Sequence, residues 1–356
     1  MTRMPGIVGV VFALVALGPG YAQEANTRAP AVDGASRESL ESIHAEFRRG
    51  VADLERARLE RLARLAAGQA GDEARKTYEE YFRLVIANGL YREAEPTAER
   101  VMNARDLSKE VGALAVLINI IAEADRGAYQ DSIASIAAAI EGGGDGGAIK
   151  PAASLPLETR LALIDAYYRR LLQSGQFEVA RKALRMIGDV SQDPVIQGLT
   201  AGRLKQLDLL GKPTPPIAGT DVDGKPFRLE DWKGDVVLVT FWASWCLPSA
   251  QEIDGFKELA LSLRPRGFRV LGINLDAAQD GGQAPETVMP NIRRFLLDHN
   301  VPWPNLINGP GERDYAGAFG VTEIPANVLI GRDGKVIHLD LTRSNLEEAV
   351  ARAVGR

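Results

Sequence analysis

Apolar positions recur along this chain in two rhythms, and the change falls near residue 208. From Ser36 they come in steps of three and four, at Leu40, Ile43, Phe47, Val51 and Leu54 and again at Leu62 and Leu65, which puts them on one face of a long helix. Ser39, Glu41 and Ser42 give that helix a polar, acidic start, suited to the positive end of its dipole. Past Leu210 the pattern shortens. Val236–Trp242 and Phe268–Leu275 are nearly continuous apolar runs, expected to be buried central strands, and between them Ile253, Phe256, Leu259 and Leu263 mark an amphipathic helix. Such a strand–helix–strand unit predicts two parallel strands joined by a right-handed crossover. Farther on, Asn327–Ile330 and Lys335–His338 flank Arg332-Asp333-Gly334, the pattern of a hairpin, and a final helix is expected from about Asn345. The expectation is an all-α domain over 36–207, followed by an α/β domain over 208–356 with a central mixed sheet flanked by helices.

The helical half is weakly self-similar. Asn88-Gly89-Leu90-Tyr91 with Ala94 is matched by Ser174-Gly175-Gln176-Phe177 with Ala180, and less closely by Gly127-Ala128-Tyr129 with Ser132. Each copy reads as a helix stopped by glycine, a tight turn, and an aromatic residue opening a second helix. Glycine suits the left-handed residue after a helix, and the small residue three places beyond the aromatic lets the helices approach closely. The pattern resembles degenerate tetratricopeptide-type helix pairs, which implies a concave surface for a peptide or partner protein. The alternative is a plain bundle whose tyrosines fill the core. The stretch 141–154, EGGGDGGAIKPAAS, is a long flexible connection, and without a following Gly-Lys-Ser/Thr it does not match a phosphate-binding loop.

The first residues add a compartment. Arg3, an apolar run from Ile7 to Leu17, Pro19-Gly20 and the small-x-small triplet Gly20-Tyr21-Ala22 form the layout of a secretory signal peptide over 1–22, followed by a flexible tether over 23–35. The apolar run falls short of the ~20 residues that span a bilayer, so no stable membrane span is expected after cleavage. A secreted, periplasmic location is oxidising, and there the presence of only one cysteine, Cys246, is unusual and rules out an internal disulfide. With 46% hydrophobic residues the chain can bury a large core, and a net charge of −5 spread over both halves gives no basic face for nucleic acid.

Around that cysteine the residues carry a family pattern. Phe241-Trp242-Ala243-Ser244-Trp245-Cys246-Leu247-Pro248-Ser249 resembles the F-W-A-x-W-C-x-P-C active-site segment of thioredoxin-like proteins, in particular the TlpA/ResA-type thiol–disulfide oxidoreductases. Gly211-Lys212-Pro213, Asp223-Gly224-Lys225-Pro226, Glu252 and Phe319 to Pro325 agree in order and spacing. The resemblance implies that Cys246 sits at a helix N-terminus, where unpaired N–H groups and the dipole stabilise a thiolate that attacks protein disulfides. It implies that Pro325, after Ile324, is cis and lies against the thiol as part of a substrate groove with Trp245 and Pro248, with Glu252 as a possible supporting group. It calls for no cofactor.

The departures bear on the function. Ser249 stands where the family has its resolving cysteine, so a mixed disulfide at Cys246 lacks the usual internal release. Thr240 occupies the place of thioredoxin's buried carboxylate. Two readings stay open: a monothiol oxidoreductase whose Ser249 hydroxyl hydrogen-bonds the thiolate, and a redox-inactive binding module using the same groove and the helical half. Val239 and Ala243 replace the proline and threonine of the peroxiredoxin pattern, which argues against peroxidase activity. His44, His299 and His338 are scattered and form no metal-ligand pattern. Trp242 is expected to be packing.

Overall fold

The computed structural model describes residues 40–104, 108–141, 155–281 and 284–355. The expected signal peptide, the tether and all but the first residue of the glycine-rich stretch lie outside them. The helices are α1 (Leu40–Ala67), α2 (Gly71–Asn88), α3 (Tyr91–Met102), α4 (Lys109–Asp125), α5 (Tyr129–Glu141), α6 (Leu157–Gln173), α7 (Phe177–Val190) and α8 (Pro194–Leu209). Then come β1 (Ala218–Thr220), β2 (Pro226–Arg228), β3 (Val236–Trp242), α9 (Leu247–Leu263), β4 (Phe268–Asn274), α10 (Pro285–Asp298), β5 (Asn305–Ile307), α11 (Tyr315–Phe319), β6 (Ala326–Ile330), β7 (Val336–Leu339) and α12 (Arg343–Gly355). The chain divides into two compact units, one ending at Tyr167 and one running from Tyr168 to Arg356, so the division falls within α6 and places α7 and α8 in the second unit.

The three glycine turns share one geometry. Gly89, Gly127 and Gly175 follow α2, α4 and α6 with φ of +67°, +85° and +71°. In each, the next residue's N–H reaches back to close the helix: Leu90 to the Val85 carbonyl (3.1 Å), Ala128 to Glu123 (2.9 Å) and Gln176 to Leu171 (2.8 Å). That six-to-one closure requires a left-handed residue, which glycine adopts without steric cost. Tyr91, Tyr129 and Phe177 open the following helices, and Ala94, Ser132 and Ala180 are fully buried. The first unit's core is built on α4, which is apolar and buried nearly all round. The stripe expected on α1 is not its packing face. Phe47 is 62% and Leu54 72% exposed, while Leu59 and Ala66 are buried. The 28 residues of α1 extend about 42 Å against about 27 Å for the 18 of α2, so its first turns outrun that neighbour.

The second unit holds a five-stranded mixed sheet in the order β5-β4-β3-β6-β7. β3 runs parallel to β4 and antiparallel to β6, and every residue of β3 is buried. Trp242, Ile253, Phe256, Ile292 and Phe295 belong to the apolar core on one of its faces. At the β7 edge, Gly211 N–H donates to the Val336 carbonyl (2.8 Å) and Val336 N–H to Lys212 (3.0 Å), so the chain leaving α8 covers the start of that strand. This is a thioredoxin fold with an all-helical region before it: the two rhythms predict the all-α and α/β halves, and the family resemblance implies the thioredoxin fold.

Candidate active site

β3 delivers the site. Its last residue, Trp242, is fully buried, and its indole N–H donates to Asn305 Oδ1 (3.0 Å) on β5. The packing role expected for Trp242 is the one it has. The turn beyond is tied to the exit of β4. Ser244 N–H donates to Asp276 Oδ1 (2.7 Å), the Ser244 hydroxyl donates to the other Asp276 oxygen, and Asn274 Nδ2 donates to Asp276 (3.0 Å). Asp276 is buried, so these three donors replace the water its carboxylate gives up.

Cys246 is the N-cap of α9, in an extended conformation, with Pro248 in the first turn. A helix's first turn leaves N–H groups without intrahelical partners and carries the positive end of the dipole; proline fits there because it has no N–H to lose. The sheet register then sets the opposite wall. Ala326 pairs with Phe241, so the residues just before β6 arrive beside the end of β3. The Ile324–Pro325 peptide bond is cis, and Cys246 Sγ lies 4.0 Å from the Ile324 carbonyl oxygen. Ile324 and Pro325 are buried, as is the cysteine at 3% exposure. Its neighbours are not: Trp245 is 39% and Leu247 69% exposed, and Pro248 is partly so. The sulfur is therefore recessed within a rim of exposed apolar side chains, an arrangement that can admit an apolar polypeptide segment to a single thiol.

Ser249 and Glu252 lie one and two turns into α9. Ser249 Oγ is buried with no hydrogen-bond partner, so the bond to the cysteine sulfur expected from the sequence is not formed. Glu252 has one carboxylate oxygen cut off from solvent and unpaired, although the residue as a whole keeps some exposure. Burial pushes its pKa up to about 7, partly offset by Arg169 and reinforced by Asp340. Thr240 is buried within β3. Of the histidines, His299 follows α10 and pairs with Asp254 (3.2 Å), while His338 lies in β7, where burial lowers its pKa. The side chain of His44 lies outside the described residues. Among the described residues no group of acidic, histidine and cysteine side chains could hold a metal, and no helix is long and apolar enough to cross a membrane.

Sequence reasoning missed the groups that brace this site. Asn274 ends β4 and Asp276 lies just past it, neither in a motif, and Arg203 on α8 gives no local sign of its partners. Arg203 is buried, pairs with Asp340 (2.6 Å) and Glu323 (3.4 Å), and lies over the Tyr168 ring at 4.9 Å.

The segment that carries this site is similar to known proteins. Residues 210–339 match the AhpC/TSA family. The thiol–disulfide oxidoreductase ResA of Bacillus thuringiensis subsp. konkukian is 30% identical over 142 residues, covering 39% of this chain and 75% of that protein. The chain belongs to the ResA family of thioredoxin-like proteins. ResA of Bacillus subtilis is 24% identical over 127 residues, 36% of this chain and 64% of that one. Among solved structures, a thiol:disulfide interchange protein of the thioredoxin family from Chlorobium tepidum is 27% identical, covering 40% of this chain and 96% of its own, with a TM-score of 0.35. Within the family pattern, this member has serine at 249.

Proposed function

We propose that this protein exchanges thiols with protein disulfides through Cys246 acting as a single thiol, in an extracytoplasmic compartment. The observation that carries the reading is Cys246 at the head of α9, its sulfur 4.0 Å from the Ile324 carbonyl and rimmed by exposed Trp245 and Leu247. The compartment rests on the leader pattern of residues 1–22. In the exchange, the Cys246 thiolate attacks one sulfur of a substrate disulfide, a mixed disulfide forms, and the other substrate sulfur leaves as a thiolate that takes up a proton. Ser249 cannot attack that mixed disulfide. A second thiol, on a protein or a small molecule, does so, freeing Cys246 and becoming disulfide-linked to the first substrate sulfur. Trp245, Pro248, Ile324 and Pro325 form the substrate side, and Glu252, with its pKa about 7, is a proton reserve one turn beyond Ser249.

The burial of Cys246 favours a second reading, a redox-inactive module that binds a partner protein in the same groove. Trapping separates the two. The natural chain is expected to form a mixed disulfide with an oxidised cystine peptide, detected by mass, and Cys246→Ala is not. In insulin reduction by dithiothreitol, Ser249→Cys should exceed both and show a reversible internal disulfide, because residues three apart at a helix start lie one turn from each other. If the natural chain traps no peptide and Ser249→Cys stays inactive, the binding module is the better account.

A further inference from the structure

Helix α8 lies outside the residues that match the family, 210–339, yet it touches the segment that leads to Pro325 at several points. The closest approach is at Gly202. A Cβ there would come 2.5 Å from Thr322 Cγ2 and 2.9 Å from the Gly320 carbonyl oxygen, so only the absence of a side chain lets the helix lie against this loop. The approach is mutual, since a Cβ on Gly320 would strike the Gly202 carbonyl and Lys205 Cβ. Lys205 Nζ donates to the Gly317 carbonyl. Arg203 then holds the loop by charge: one guanidinium nitrogen reaches Glu323, two residues before Pro325, and the other donates to Asp340, with Gln206 Oε1 accepting from the same nitrogen at 3.1 Å. Asp340 in turn accepts from Asn327 N–H (3.4 Å), in the strand that follows the loop. Arg203 thus bridges both ends of the segment 323–327.

We propose that α8 positions the active site: Gly202 and Arg203 fix the Val321–Pro325 loop, and so set the Ile324 backbone beside Cys246 for a polypeptide disulfide. This rests on the exchange reading and extends it, making the reaction depend on a helix outside the family-matched segment. A polypeptide substrate uses the loop's backbone to align its disulfide with the sulfur, whereas a small disulfide needs only access to the thiol. Loss of the clamp therefore separates the two substrate classes.

The test uses the full chain and three variants, Glu323→Gln, Gly202→Ala and Gly202→Ala with Thr322→Ala. Single-turnover release of thionitrobenzoate is followed from a cysteine peptide activated as its thionitrobenzoate disulfide, and from dithiobis(nitrobenzoate) itself. Glu323→Gln and Gly202→Ala are expected to slow the peptide reaction by roughly tenfold, since small misplacements of reacting groups carry costs of that order, and to leave the small disulfide within about twofold. Thr322→Ala removes the nearer of the two clashes and should recover part of the peptide rate in the Gly202→Ala background. Equal loss with both reagents, or no loss with the peptide, overturns the proposal. If the natural chain reacts with neither reagent, the exchange reading has failed, and the clamp is judged by backbone hydrogen exchange. Amides of Val321–Ala326 should then exchange faster in Glu323→Gln and Gly202→Ala while those of β3 and β4 do not, and unchanged protection across the loop overturns it.

Discussion

In the first unit the buried polar side chains find partners mostly within a turn: Asn119 donates to Glu123 four residues on, and Arg100 donates to Thr97 three residues back. In the second unit several also reach across the sequence. Trp242 pairs with Asn305 over 63 residues, Ser244 with Asp276 over 32, and Arg203 with Asp340 over 137. A local pair survives whatever the tertiary arrangement, whereas a long-range buried pair is satisfied only when two distant elements are in register, and leaves a desolvated group otherwise. The long-range pairs surround the turn that carries Cys246 and the loop that faces it. The helical unit is shaped by local rules and apolar packing, and the second unit adds polar pairs where a site must be held in one geometry.

The largest expected effect is therefore at the longest-range pair. Arg203→Met leaves the Asp340 carboxylate buried without its cation, and such one-sided loss costs ~3–5 kcal/mol. Urea unfolding of the full chain should show it as a lower midpoint for the transition of the second unit. Arg203→Met combined with Asp340→Asn should recover a large part, because the uncompensated charge is then gone and asparagine accepts the left-handed conformation that residue 340 adopts (φ +46°). A double variant no more stable than the single would mean that the guanidinium acts through packing on Tyr168 rather than through charge, and the contrast between the units would lose its main support.

Glu252 gives the next effect, and its sign runs against the usual carboxylate. Its folded pKa of about 7 exceeds the unfolded 4.5, so between those values the folded state binds more protons. Stability falls as pH rises from 4.5 through about 7, by at most about 3 kcal/mol if the whole shift is realised. Glu252→Gln should remove that slope and raise stability at pH 8. A variant whose stability follows the same pH curve as the natural chain would show that Glu252 is solvated, and that the second unit tolerates no unpaired charge near Cys246.

What could be read in advance follows the same division. β3 coincides with the apolar run Val236–Trp242, the glycine turns fall at Gly89, Gly127 and Gly175, and Cys246 faces the carbonyl before Pro325, because each depends on neighbours or on a contiguous motif. The packing face of α1 is not legible in the sequence because periodicity locates an apolar face and not its partner: Leu54 is exposed while Leu59 is buried. Arg203 and Asp276 were invisible for the complementary reason. A charged residue in an amphipathic helix, or just after a strand, looks like solvated surface until the fold brings its partner to it.

The smallest effect probes an exception within the first unit. Ser132 stands in α5 where the other two glycine turns have Ala94 and Ala180, and its hydroxyl meets Tyr167 Oη at 2.7 Å across 35 residues. Tyr167 is buried, and burial pushes its pKa up to about 12, so it stays protonated and hydrogen-bonded at any ordinary pH. Ser132→Ala strands that phenol and should cost ~1–3 kcal/mol, the penalty of an unsatisfied buried polar group. Tyr167→Phe should cost less, since the Ser132 hydroxyl keeps its second partner, the Tyr129 carbonyl at 3.1 Å. The double variant then has an apolar pair whose spacing alanine already satisfies at two sites in this chain, so it should be more stable than the sum of the singles implies, with a coupling of ~1 kcal/mol measurable by a double-mutant cycle in urea. Strict additivity would mean that the bond contributes nothing beyond filling space, and would bring Ser132 back among the small residues that only let two helices meet.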